Sequence, residues 1–281
     1  MSDPGARLRP SRPDRAGSVL PTGAHRVEHR VSPGSPRWID LGTPDLKATV
    51  DFYTQLFGWT AQQLGPEAGD YGFFHLDGRM AAAYGPLGEG ASSAWTVYFG
   101  TADADATAKA VEQGGGSVRL GPLDVMEEGR MAQFTDPTGA EFAIWQPRNT
   151  QGLEVVNQAG SLGWVELHTS DAAAARAFYS SVFDWNASDM PMGAFTYTVL
   201  STGGEDESFG GLMPTMPEGP QQSHWLPYFE VADCDATVVK AQELGGTVLH
   251  GPDTLADVGR MALLSDRHGA KFSVITSVAP S

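Results

Sequence analysis

Short alternating runs of apolar and polar residues fill most of the chain, and segments with three-and-four apolar spacing interrupt them at regular intervals. The first clear alternation is WIDLGTPD at 38–45, where Ile39 and Leu41 face one way and Trp38, Asp40 and Gly42 the other. LKATVDFYTQLFGW follows with helical spacing. Asp45 stands where a helix N-cap is needed, its carboxylate able to accept from the first free backbone amides. The same order of strand, Asp, helix and short strands is written four times, with Asp103, Asp171 and Asp233 as the other caps. The helices read ADATAKAVEQGGG, AAAARAFYSSVFDW and DATVVKAQELGG, and glycines follow several of them.

The chain repeats itself. WIDLGTPD returns as WVELHTSD at 164–171, and Phe52-Tyr53 and Trp59 return as Phe178-Tyr179 and Trp185, all at a shift of 126. Trp95, Gly121-Pro122 and GRMA (129–132) return at a shift of 130, which places four extra residues around GGEDES at 203–208. A fainter repeat lies inside each half: WIDLGTPD is echoed by TVYFGTAD (96–103), and WVELHTSD by LPYFEVAD (226–233). The organisation expected is a basic tail over 1–35, one domain over 36–148, a linker over 149–160 and a second domain over 161–277.

Four βαβββ units in one chain resemble the vicinal oxygen chelate superfamily, also called the glyoxalase/bleomycin-resistance/dioxygenase superfamily. The resemblance rests on D…FY…LFGW (45–59), its copy D…FY…VFDW (171–185), the Gly-Gly turns after the second helix of each half, and DPTGAEFAIWQ (136–146) with DRHGAKFSVIT (266–276). It covers about 36–277. The fold it implies is α+β: two tandem domains whose curved half-barrel sheets carry helices outside and a cavity inside. Which quarters pair to close each cavity is left open by the sequence.

Alternation assigns the faces. Ile39, Leu41, Val165, Leu167, Trp95, Val97, Phe99, Trp225 and Phe229 form a consistently apolar set that should lie under the helices. The opposite set mixes aromatics with acids: Trp38, Asp40, Thr96 and Tyr98 in the first half, and Trp164, Glu166, His168, Tyr228 and Glu230 in the second. These residues, with Trp145, Met80 and Met213, are the candidate cavity lining. The resemblance implies metal ligands at Trp38, Thr96 and Ala143, and at Trp164, Leu226 and Ser273. None of these is the imidazole or carboxylate donor that a divalent metal needs, so no metal or cofactor is expected. An indole at the ligand position instead offers a flat apolar platform for a planar molecule. Glu166, His168 and Glu230 are the weaker candidates for acid–base chemistry, while His75, His224, His250 and His268 fall on turns or strand ends.

Charge narrows the partners. The net charge of −16 speaks against a nucleic-acid binder. Seven arginines against three acids in 1–37 leave the remainder at about −20, a body that attracts cations. No apolar run is long enough to cross a bilayer, and the single cysteine, Cys234, fits a reducing cytoplasm and a packed rather than nucleophilic role. The leading reading is a metal-free binder of a planar aromatic small molecule, anthracycline-like and cationic near Asp40 or Glu166. It follows the family's antibiotic-pathway accessory and bleomycin-type sequestration proteins of actinomycetes. One rival is a lyase, isomerase or oxygenase-type enzyme using Glu166, His168 and Glu230. A second rival is an interaction protein whose tail docks a biosynthetic enzyme.

Overall fold

The computed structural model describes residues 32–88, 90–215 and 222–278. Most of the expected tail, 1–31, lies outside them. Residues 32–35 do not belong to it: Gly34 N donates to Gly100 O at 2.7 Å and Gly100 N to Ser35 O at 2.9 Å.

The first half runs β1 (Pro36–Thr43), α1 (Leu46–Phe57), β2 (Thr60–Gln63), β3 (Gly72–Leu76), β4 (Arg79–Pro86), β5 (Ala94–Gly100), α2 (Ala104–Gln113), β6 (Ser117–Val125), β7 (Gly129–Thr135) and β8 (Glu141–Pro147). The second half repeats it as β9 (Leu162–Thr169), α3 (Ala172–Phe183), β10 (Asn186–Met192), β11 (Phe195–Ser201), β12 (Ser208–Pro214), β13 (His224–Glu230), α4 (Cys234–Glu243), β14 (Thr247–Leu255), β15 (Gly259–Ser265) and β16 (Lys271–Ser277). All four aspartates cap their helices, each carboxylate accepting from a first-turn amide such as Ala48 N or Ala174 N. Cys234 is buried at the start of α4, which pushes its thiol up to about 11.

Each half is one open eight-stranded sheet, ordered β2-β3-β4-β1-β5-β8-β7-β6 and β10-β11-β12-β9-β13-β16-β15-β14. The pairing of quarters is thereby fixed. β1 pairs antiparallel with β5, Asp40 opposite Thr96, so the first quarter closes with the second. β9 pairs likewise with β13, Glu166 opposite Leu226. The extra residues of the second half split into two sites. β3 and β11 remain in step at a shift of 126, Pro86 and Pro214 end their strands at 128, and Ala94 and His224 begin theirs at 130.

The helix-bearing faces of the two sheets meet each other. From α1, Phe57 lies 4.9 Å from Phe229 and Phe52 lies 6.4 Å from Phe272, both on the second sheet. From α3, Tyr179 lies 5.4 Å from Phe142 and Phe183 lies 5.6 Å from Phe99, both on the first. Phe99, Phe142, Phe229 and Phe272 are fully buried in a core common to both halves. The repeated Trp59 and Trp185 anchor the segments that lead into the opposite half: their indole N–H groups donate to Gly160 O, just before β9, at 2.7 Å and to Gly34 O, just before β1, at 3.0 Å. Tyr53 similarly donates to the buried Asp266 of the second half. The connecting segment is packed, with Leu153 and Val155 buried and Leu153 N donating to Arg37 O at 2.8 Å. The two mixed faces are the ones turned away from this shared core.

Candidate functional site

On each mixed face a carboxylate sits at the centre of the same four-residue chain. In the first half Tyr71 and Tyr98 both donate to Asp40 Oδ2, at 3.1 and 2.8 Å, and Trp38 Nε1 donates to the Tyr71 hydroxyl at 3.0 Å. In the second, Tyr197 donates to Glu166 Oε2 at 2.9 Å, Tyr228 to Oε1 at 2.8 Å, and Trp164 Nε1 to the Tyr197 hydroxyl at 2.9 Å. Burial pushes all four tyrosines well above their ordinary value, so their hydroxyls remain donors. The acids noted in the sequence are therefore partnered wall residues, in keeping with the cost of burying a bare charge.

Tyr71 and Tyr197 were not among the expected lining. They reach across from the edge of β3 and from β11 because the intervening strand gives way. A Cβ at Gly85 would come within 2.9 Å of the Tyr71 ring, and one at Gly211 would collide with the Tyr197 hydroxyl. Both tyrosines obey the shift of 126, and that is the signal by which they were findable.

The two faces then diverge. Trp145 stacks on Trp38 with centroids 6.2 Å apart and planes 21° apart, Phe73 meets Trp38 edge-on, and Trp38 is only 6 % exposed. The first face is thus filled by its own rings. In the second half Ile275 holds the position of Trp145, as the pairings Gly100 with Trp145 and Glu230 with Ile275 show. Trp164 is half-buried, and among the described residues no aromatic ring stacks on it. It packs on an apolar floor of Leu226, Tyr228 and Ile275, flanked by Met261 and Leu263. A cavity of about 80 Å³ opens beside it, bounded by Pro36, Leu162, Gly163, Glu207 and Phe209.

The carboxylates differ as well. Burial pushes Asp40 up to about 6 against the pull of Tyr98, Tyr71 and Thr96. Burial also pushes Glu166 up, but His168, Tyr228 and Tyr197 together outweigh it and hold Glu166 below the ordinary glutamate value. His168 Nε2 lies 2.8 Å from Glu166 Oε1, outside regular hydrogen-bond geometry. His224 is not the surface residue its strand-end position suggested. It opposes His168 across the β9–β13 pairing, and the rings stack with centroids 5.0 Å apart and planes 19° apart. Gly42 and Ala94 occupy those two positions in the first half.

Glu230 departs from expectation. Alternation placed it on the correct face, but it lies six residues along β13 from His224, roughly 20 Å at strand rise. There Ser277 donates to it and Gly163 makes room for it, away from Glu166 and His168. The Glu166, His168 and Glu230 trio is not brought together.

The positions tested against a metal hold Trp38, Thr96 and Ala143, and Trp164, Leu226 and Ser273. Of these, Trp38 and Trp164 are tied to tyrosines, and Ala143 and Ser273 pair with Tyr98 and Tyr228. Each face offers a single carboxylate, which already accepts from two tyrosine hydroxyls. Among the described residues no group of three or more His, Cys, Asp or Glu stands close enough to hold an ion. A divalent metal of the kind this fold implies does not fit these residues.

The profile of the Glyoxalase/Bleomycin resistance protein/Dioxygenase superfamily matches residues 35–144 and again 161–274. The chain belongs to this superfamily. Within it, the chain is 45 % identical over 264 residues to the anthracycline biosynthesis protein DnrV of Streptomyces peucetius, covering 88 % of this chain and 94 % of that one. It is 41 % identical over 258 residues to the putative glyoxylase CFP32 of Mycobacterium bovis, covering 89 % and 97 %. Among solved structures, the 2,3-dioxygenase LapB from Pseudomonas sp. KL28 matches with a TM-score of 0.63 at 12 % identity, over 89 % of this chain and 95 % of that one. The Mn(II)-bound glyoxalase from Novosphingobium aromaticivorans matches with 0.63 at 16 %, over 88 % and 83 %. These two likenesses concern the fold. No helix among the described residues is long and apolar enough to cross a membrane.

Proposed function

We propose that this protein is a metal-free binder of a planar, polycyclic aromatic small molecule of the anthracycline or related polyketide class, serving antibiotic biosynthesis in the cytoplasm. The observation that carries this reading is Trp164. Its indole is held in place by Tyr197, partly exposed, next to a carboxylate, and without the stacking partner that Trp145 provides for Trp38. A flat ligand ring takes the place of that missing indole. Aromatic stacking beyond area burial contributes about 0.5–1.5 kcal/mol. The floor of Leu226 and Ile275 adds apolar contact, and Glu166 meets a ligand amine or hydroxyl. The first face, closed by Trp145 and Phe73, serves as scaffold. The anthracycline-pathway relative at 45 % identity supports the ligand class. In that setting the protein holds a pathway intermediate or product for a biosynthetic enzyme, or sequesters it.

Titrating the intrinsic tryptophan fluorescence with an anthracycline and with a simple hydroxyanthraquinone tests this. Saturable quenching is expected, weakened about tenfold in Trp164→Leu, a loss of about 1.4 kcal/mol, and little changed in Trp38→Phe. Flat titrations, or equal affinity in Trp164→Leu, would sink the reading.

A further inference from the structure

We infer that the second face is also a proton-accepting site, which selects ligands carrying an acidic phenol or hydroxyquinone and binds them as the phenolate. The inference rests on the reading that this face takes a planar aromatic ligand, and it names the chemical class and protonation state of that ligand. The acceptor is the Glu166–His168 pair. Glu166 is pinned by Tyr197 on one oxygen and Tyr228 on the other, and it presents Oε1 to His168 Nε2 at 2.8 Å. His168 Nε2 is buried; Nδ1, on the opposite side of the ring, has no hydrogen-bond partner among the described residues. The ring plane is fixed by His224, whose Nδ1 lies 2.9 Å from Gln222 O. One imidazole nitrogen is thus fixed against a carboxylate while the other is left for a ligand. This is the arrangement in which a carboxylate stabilises the imidazolium formed when a proton arrives.

The position of the pair selects the ligand. His168 lies four residues along β9 from Trp164, about 13 Å at strand rise, with Glu166 midway on the same face. A single ring is too short to span that separation, whereas a fused polycycle with a hydroxyl at its far edge is long enough. The step itself is complete with the groups present: the phenolic O–H bond breaks, its proton forms N–H at His168 Nδ1, and the electron pair stays on the ligand oxygen. The products are a phenolate and an imidazolium, the latter neutralised by Glu166. The groups setting the field at this pair are Glu166 on β9, Tyr197 on β11, Tyr228 and His224 on β13, and Lys271 at the start of β16. The first face has no counterpart, since Gly42 and Ala94 replace both imidazoles. Gly42 is moreover covered by the Leu87 side chain, which a Cβ there would meet at 2.7 Å.

The experiment uses the full chain and quinizarin, a 1,4-dihydroxyanthraquinone that ionises well above the ordinary imidazole value with a change in visible absorption. Protein is titrated into dye buffered about one pH unit below the dye's own ionisation. Tryptophan quenching reports binding and the dye spectrum reports the proton. The expected result is quenching together with a spectrum converted to the ionised form, equivalent to at least a tenfold shift of the ionisation equilibrium. His168→Asn, and separately His168→Gln, should bind the dye more weakly and leave it neutral at saturation. Quenching without ionisation in the wild-type protein overturns this inference while leaving the binding reading intact, and it needs no variant to fold. Ionisation that persists in a folded His168 variant overturns it as well. Absence of quenching removes the binding reading and this inference with it.

Discussion

Asp40→Asn should raise the stability of the protein relative to wild type as pH increases. Asp40 takes about 6 in the folded state against an ordinary value of 3.8. Below 3.8 both folded and unfolded chains hold the proton, and above about 6 neither does. Between these values the folded chain keeps a proton that the unfolded chain releases, so stability falls as pH rises through that window. The full step is about 3 kcal/mol at 1.36 kcal/mol per pH unit, and about 2 kcal/mol of it lies between pH 4.5 and 7.5. Asparagine preserves the geometry. Tyr71 and Tyr98 donate to the same oxygen, Oδ2, so a single amide oxygen with two lone pairs accepts both. The amide N–H₂ is left to face Thr96, which neighbours the carboxylate. The assay is urea unfolding of wild type and Asp40→Asn at pH 4.5, 5.5, 6.5 and 7.5, followed by far-UV circular dichroism. The difference in unfolding free energy, variant minus wild type, should increase by about 2 kcal/mol across the series. A difference constant to about 0.5 kcal/mol, or one moving the other way, would refute the claim that Asp40 is held protonated by burial.

Glu166→Gln should do the opposite. Glu166 is held below its ordinary value, so its ionised form adds stability that is present above the unfolded value of 4.5 and is lost as pH falls through the folded one. The variant should be destabilised at pH 7, with the loss shrinking only below about pH 4.5, so its urea series is extended down to pH 3; a loss unchanged between pH 7 and pH 3 would count against it. Phe229→Ala removes a fully buried ring that touches Phe57, Trp59 and Trp95 of the first half and Phe272 of the second. A cost of about 3–5 kcal/mol is expected, with wild type and variant each melting in a single transition by near- and far-UV circular dichroism. Two separate transitions in the wild type would contradict a core common to both halves.

Much of this was legible because its causes are local. A helix cap requires an acceptor two or three residues before the amides it serves, so Asp45, Asp103, Asp171 and Asp233 declared themselves in the sequence. The face assignment of Trp38, Asp40, Trp164 and Glu166 followed from the two-residue period of a strand. What escaped depends on sheet order. Tyr71 and Tyr197 meet their carboxylates from two strands away, across β4 and β12, and only the glycines at 85 and 211 betray the crossing. Glu230 shows the converse limit: alternation gives the side of a sheet but not the distance along it. His224 reads as a strand-end residue in the sequence, because its partner His168 belongs to a strand more than fifty residues earlier and only the β9–β13 register brings the rings together.

Because α1 and α3 each lean on the opposite sheet, neither half owns a complete interior, and cutting the chain between them would strand both. That mutual dependence has an evolutionary counterpart. A duplicated domain locked to its twin through one face is free to vary on the other, since changes there never touch the shared seam. One half carries the shorter acid and a second indole closed over it; the other carries an acid one methylene longer, two imidazoles and an indole on which, among the described residues, no ring stacks. The two mixed faces therefore differ while the seam between the halves is built from the same repeated residues.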